Sequence, residues 1–163
     1  MDLAKAARDP WVWGQFALFL LIGFAAPLLP RYLNLGAADF MLNRIDPGWI
    51  RGLGAGLLLL GVLVLAWGIR SLGRSLTPGT EPLPDADLVT SGAYEHVRHP
   101  IYTGLVLALA GYTLVWSNWT LALLFGFLAL QYFRAKAAVE ENWLVERFPA
   151  YKSYMRRVPR QVL

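Results

Sequence analysis

The side chains able to do chemistry are gathered in two short stretches. Both histidines, His96 and His99, stand three residues apart in the run Leu88-Val89-Thr90-Ser91-Gly92-Ala93-Tyr94-Glu95-His96-Val97-Arg98-His99-Pro100-Ile101-Tyr102-Thr103-Gly104. Pro100 suits the first turn of a helix, where its missing N–H costs nothing. The free backbone N–H groups of such a turn would suit a carboxylate. The second stretch, Arg134-Ala135-Lys136-Ala137-Ala138-Val139-Glu140-Glu141, carries two cations and two acids. On a helix Lys136 and Glu140 are neighbours one turn apart, while Arg134 and Glu141 lie two turns apart on nearly one face. Ionisable groups at a membrane boundary are costly, so pairing or ligand contact is expected of them.

Each feature taken alone has a plainer reading. Arg98 and His99 could meet lipid headgroups, Glu140 and Glu141 could be a solvated helix end paired with Lys136, and Thr90-Ser91-Gly92 could be a simple turn. A metal site at His96 and His99 would want further His or carboxylate partners at a ligand spacing, so no metal is expected. There are no cysteines, which excludes disulfide scaffolds, thiolate metal sites and cysteine nucleophiles. The net charge of +4 comes without a basic, aromatic-interleaved motif, so nucleic acid is not an expected partner.

Apolar helices must position these stretches. Hydrophobic residues make up 56% of the 163-residue chain and charged residues only 16%, against roughly 45–50% and 25% in soluble domains. The runs Trp11–Leu29 and Gly52–Ile69 are uncharged and near the length of about 20 residues that spans a bilayer. Pro27 and Pro30 read as the exit from the first. Gly52-Leu53-Gly54-Ala55-Gly56 is superficially like a dinucleotide loop, but no strand precedes it. Gly52 and Gly56 instead predict a small-xxx-small packing face between helices. From Ile101 to Phe133 no charge occurs; one helix of that length would measure about 50 Å, so a hairpin turning at Ser117-Asn118 is expected. Beyond it, Trp143, Leu144, Phe148, Tyr151 and Met155 recur at near-helical spacing among basic residues, which predicts an amphipathic helix on the membrane or over the site.

The expected fold is thus an all-α integral membrane protein. It has about four transmembrane helices, a C-terminal helical hairpin and a cytoplasmic amphipathic C-terminal helix, in one domain over 1–163. Four crossings place twelve of the fifteen Lys and Arg on the side shared by both termini and by Arg70–Pro100, which predicts that this side is cytoplasmic. No cleavable signal peptide is expected, because the first apolar run is long and lacks a small-x-small exit.

The ordered set Gly92, Tyr94, Arg98, His99, Pro100, Tyr102 and Gly104, then Glu140, Glu141, Leu144, Phe148, Tyr151 and Tyr154, resembles the isoprenylcysteine carboxyl methyltransferase family. That family is itself similar to the wider integral-membrane methyltransferases, phospholipid methyltransferases among them. The resemblance covers about Leu88 to Pro159, and the cofactor region is taken as about 86–159. It implies an S-adenosylmethionine site built without a Rossmann fold, from Leu88, Val89, Tyr94, His99, Pro100, Ile101, Tyr102 and Glu140. A sulfonium and an ammonium favour carboxylate and aromatic faces. In the family an arginine four residues before the first Glu holds the substrate carboxylate; here Lys136 stands there, with Arg134 two residues earlier. Lysine offers a point charge where arginine offers a planar fork.

The expected activity is methyl transfer to a lipophilic small molecule or membrane lipid at the cytoplasmic face. A carboxylate acceptor would be oriented by Lys136, Arg134 or Arg98. An amine acceptor, as in a phospholipid headgroup, would need a base such as Glu141 or His99. Two rivals share the helical core: an NADPH-dependent membrane reductase and a non-catalytic membrane subunit.

Overall fold

The computed structural model describes residues 7–32, 47–116 and 119–163. Among them every regular element is helical: α1 (Pro10–Tyr32), α2 (Pro47–Leu72), α3 (Pro100–Trp116), α4 (Trp119–Arg147) and α5 (Tyr151–Arg157). Single 3₁₀ turns stand at Gly73–Ser75 and Gly92–Glu95. Proline opens α1, α2 and α3, where its fixed φ is already helical. Asp9 caps α1, its Oδ1 accepting the Trp11 N–H at 2.9 Å.

Among the described residues three helices are long and apolar enough to cross a membrane, over Pro10–Leu29, Gly48–Ser75 and Trp119–Arg147. The fourth apolar helix, α3, has 17 residues. Outward faces carry exposed Phe16, Leu20 and Phe24 on α1, Leu59, Leu60 and Leu63 on α2, and Leu123, Leu124 and Phe127 on α4. So large an apolar surface suits hydrocarbon rather than water. This is a multi-pass integral membrane protein.

α1 does not end at its prolines. It runs through Pro27 and Pro30 to Tyr32, because the first break in its ladder is repaired from outside. Pro27 has no N–H to give the carbonyl four residues back, and that carbonyl, Gly23 O, accepts the Tyr112 hydroxyl of α3 at 3.0 Å. A neighbouring helix that satisfies a freed carbonyl makes such a proline tolerable in a span.

The close helix seam is also displaced from its expected place. Gly52 and Gly56 face open space, whereas Gly54, Gly61 and Gly68 meet α3. A Cβ on Gly61 would lie 2.3 Å from Ala108 N, and one on Gly111 would lie 2.3 Å from Leu58 N. The α2 glycines stand seven residues apart, nearly two full turns, so they share one stripe. Gly104 and Gly111 answer them from α3, and the two helices touch backbone to backbone.

α1, α3 and α4 enclose the main core, where Ile22, Val106, Phe125, Ala129 and Phe133 are buried. A second cluster, Ala93, Tyr94, Tyr151, Tyr154 and Val158, packs the loop after α2 against α5. The amphipathic segment after Trp143 is two helices rather than one. Pro149 cannot continue the ladder and biases Phe148 away from helical geometry, so α4 stops at Arg147 and α5 begins at Tyr151. The tail beyond α5 returns to the helices: Arg98 N–H donates to Arg160 O at 3.0 Å, and His99 N–H to Gln161 O at 2.9 Å. Val162 is fully buried in the main core. The hairpin turn expected at Ser117-Asn118 lies outside the described residues, as do Lys5 and Arg44.

Candidate functional site

Gly92 sets the loop on its course toward the site. Its φ of +64° is left-handed, and a Cβ there would sit 2.7 Å from Ser71 Oγ, so two independent constraints exclude a side chain. Ser71 Oγ accepts the next N–H, that of Ala93, at 3.2 Å. Tyr94 is then held under α5, its carbonyl accepting the Tyr154 hydroxyl at 2.7 Å. Burial raises the pKa of Tyr94, and the charge of Glu140 adds to the effect.

His99 precedes the first residue of α3 and its carbonyl accepts the Thr103 N–H at 3.0 Å. Its ring lies between two acids: Nε2 is 3.1 Å from Glu141 Oε1 and Nδ1 is 3.5 Å from Glu140 Oε2. Carboxylates only accept, so Nε2 carries the proton of the bond to Glu141, and the acid 3.5 Å from Nδ1 favours a second proton, and so a positive charge, on the ring. Burial works against that charge, but the bonds to Glu140 and Glu141 prevail and raise the pKa. Arg98 shares Glu141, with Nε donating to Oε1 at 2.8 Å and a terminal nitrogen to Oε2 at 3.4 Å. Its other terminal nitrogen donates to Val158 O and Pro159 O, each at 2.8 Å. Arg98 and Glu141 therefore clamp the tail beneath His99.

Glu140 faces the other way, accepting the Tyr102 hydroxyl. The Tyr102 ring stacks on His99, with centroids 5.4 Å apart and planes within 5°, and on Phe133 at 4.9 Å. Lys136 is 1% exposed, with Nζ 5.4 Å from the centre of the Tyr102 ring. Its ammonium donates to Gln15 Oε1 on α1 and to Pro78 O in the loop, both at 2.9 Å. That loop is pinned from a second side: Asp9 Oδ2 accepts the N–H of Thr80 at 2.6 Å and its hydroxyl at 2.9 Å.

These groups border a cavity of about 480 Å³, within the range of pockets for small organic ligands. Leu88, Val89, Tyr94, Arg98, His99, Ile101, Tyr102, Lys136 and Glu140 all line it. Three of the residues expected to hold donor or acceptor do not. Pro100 packs against Gly68, Glu141 lies behind His99 and Arg98, and Arg134 points outward on the exposed side of α4. His96 is exposed and packs on Trp67. Among the described residues no three His, Asp or Glu side chains converge as metal ligands. The structure adds Gln15, Thr77, Pro78, Thr80, Tyr151 and Tyr154 to the wall. Gln15 had a sign in the sequence, being the one amide side chain in the uncharged run Trp11–Leu29.

Fold and site together define a polytopic helical membrane protein with a ligand cavity at one end of its helices, lined by loop, helix start and helix end. Residues 54–146, more than half of the chain, match the isoprenylcysteine carboxyl methyltransferase (ICMT) family. The chain belongs to that family. It is similar to the protein-S-isoprenylcysteine O-methyltransferase B of Arabidopsis thaliana, 30% identical over 114 residues covering 68% of this chain and 58% of that protein. The protein-S-isoprenylcysteine O-methyltransferase of Schizosaccharomyces pombe is 31% identical over 107 residues, 64% of this chain and 45% of that protein. The Dictyostelium discoideum protein of the same name is 27% identical over 147 residues, 88% of this chain and 59% of its own length. The matched regions thus span 45–59% of these relatives.

Proposed function

We propose that the chain is an S-adenosylmethionine-dependent methyltransferase that esterifies the carboxylate of a prenylcysteine-like lipophilic acceptor. One observation carries the choice of acceptor. The cavity holds a buried cation, Lys136, whereas both groups considered as bases are already committed. His99 lies between two carboxylates, which favour its protonated form, and Glu141 already accepts from Arg98 and His99. An amine acceptor must lose a proton; a carboxylate needs only to be held. Lys136 is placed to do that by exchanging Gln15 or Pro78 for the incoming anion.

The wall fits the methyl donor by the chemistry of its groups. Glu140 and the faces of Tyr94 and Tyr102 suit a cation, and the apolar Leu88, Val89 and Ile101 suit a flat ring. When bound, S-adenosylmethionine supplies an electrophilic methyl group on a sulfonium, whose positive charge is neutralised on transfer to a carboxylate. A site closed off from water favours such a loss of opposite charges. The residues of the chain orient both partners and exclude water, which is most of what an in-line displacement needs.

In this reading α3 is the fourth crossing, and both termini and the cavity face the cytoplasm, where the excess of Lys and Arg lies. The acceptor arrives from the bilayer. The test is calorimetric titration of the purified protein with S-adenosylmethionine and NADPH, followed by transfer of labelled methyl to an N-acetylated S-prenylcysteine and to an aminophospholipid. Binding of S-adenosylmethionine alone, with base-labile label on the prenylcysteine, is the expected result. Base-stable label on the aminophospholipid overturns the acceptor, and binding of NADPH alone overturns the donor.

A further inference from the structure

Tyr151, the first residue of α5, lines the cavity and is 2% exposed. Its hydroxyl oxygen is the one buried side-chain polar atom among the described residues that has no hydrogen-bond partner. The neighbouring Glu141 acts on it by its charge and as a weak hydrogen-bonding neighbour, but no formed bond joins them, and the bonds of that carboxylate run to Arg98 and His99. Burial first, and the charge of Glu141 second, raise the pKa of the phenol, so it stays protonated and has a hydrogen to give. Its neighbour Tyr154 is no model for it, since that hydroxyl is spent on Tyr94 O. A buried donor left unmade is costly, and its presence in a cavity wall points to a ligand that completes it.

The surroundings narrow which part of a ligand that is. Tyr151 packs with Tyr94 and Tyr154, against Leu88, Val89, Leu144 and Phe148. Flat and apolar groups of this kind receive a planar heteroaromatic ring rather than a charged one. Lys136, the cation assigned to the acceptor, touches Gln15, Pro78 and Tyr102 instead. We propose that Tyr151 binds the nucleoside half of the methyl donor, its hydroxyl donating to a purine nitrogen or ribose oxygen. This rests on the methyl-donor reading above.

The test is Tyr151→Phe, with the thermal stability of the ligand-free protein measured beside its affinity for S-adenosylhomocysteine and for methylthioadenosine, which lacks the amino-acid end. Removing an orphan hydroxyl leaves unliganded stability unchanged or higher, while both affinities fall by the same factor, about 3–10-fold for one neutral hydrogen bond. Tyr154→Phe, which breaks a bond present without ligand, lowers the stability of the ligand-free protein. Unchanged affinities in Tyr151→Phe overturn the proposal. So does a destabilised or unfolded Tyr151→Phe, which would give the hydroxyl a structural bond to Glu141. A loss confined to S-adenosylhomocysteine overturns the assignment to the nucleoside half. The wild-type titration separates the two readings: a wild-type protein that binds neither probe defeats the methyl-donor reading itself.

Discussion

With a carboxylate at each ring nitrogen, His99 contributes stability as an imidazolium, and its sign with pH follows. The raised pKa in the folded protein means the contribution is complete below the unfolded value of about 6.5 and fades as pH rises through the folded one. Thermal unfolding in detergent from mildly acidic to alkaline pH should show that fall, and His99→Gln should flatten it; a wild-type curve that rises over the same range would contradict it. The two acids should separate by effect. Glu141→Ala strands Arg98 in a buried site, where breaking a pair costs about 3–5 kcal/mol, and unfolding should register it directly. Glu140→Gln should leave the fold intact but weaken S-adenosylmethionine roughly tenfold or more, as loss of a charged contact does. Equal affinity in that variant would remove Glu140 from the donor site. Lys136→Gln should lower kcat/KM for a carboxylate acceptor by about 10–100-fold and move donor affinity little. Steady-state kinetics with each substrate varied in turn would read that division.

Among the elements, the α2–α3 seam governs the site most directly, because the loop bearing Leu88, Val89 and Tyr94 is strung between these two helices. Gly61→Ala puts a methyl against the backbone of Ala108, and overpacking of this sort costs about 1–3 kcal/mol. Gly56→Ala, in open space five residues earlier, should be neutral; parallel unfolding curves for the pair check both. Here the limits of sequence reading are physical. Gly52, Gly54, Gly56 and Gly61 look alike in a uniformly apolar run, and which of them faces α3 depends on a rotation about the α2 axis that no polar face betrays. That α1 runs on unbroken through Pro27 was not legible, because the Tyr112 hydroxyl that satisfies Gly23 O is 89 residues away. Gln15 joined the site only through Lys136, 121 residues further on. What was legible was local: the Arg-His-Pro-x-Tyr helix start and the Glu-Glu pair carry their meaning in adjacent residues, and most of them line one cavity. Among them Pro100, Arg134 and Glu141 stand outside its wall, since being next to a site residue in sequence says little about which side of a helix a group leaves by.

At the scale of the whole molecule, the site is assembled from every described helix and from the tail. α1 supplies Gln15 and, through Asp9, anchors the loop at Thr80; the tail supplies the carbonyls that hold Arg98. The family match begins at Gly54, so α1 lies outside the matched region although it holds the Lys136 ammonium in place. Gln15→Leu should therefore affect acceptor KM more than donor affinity, which the same kinetics would show. One dimension sets the molecule against its surroundings. The 17 residues of α3 make about 26 Å at roughly 1.5 Å per residue, short of a hydrocarbon core of about 30 Å. In the proposed reading α3 crosses the bilayer with His99 and its ionic partners at one end, and thinning the bilayer to match it costs fractions of a kcal/mol per ångström. Activity should then depend on membrane thickness: lipids with shorter acyl chains should support faster turnover than long saturated ones, which activity in bilayers of graded chain length would check.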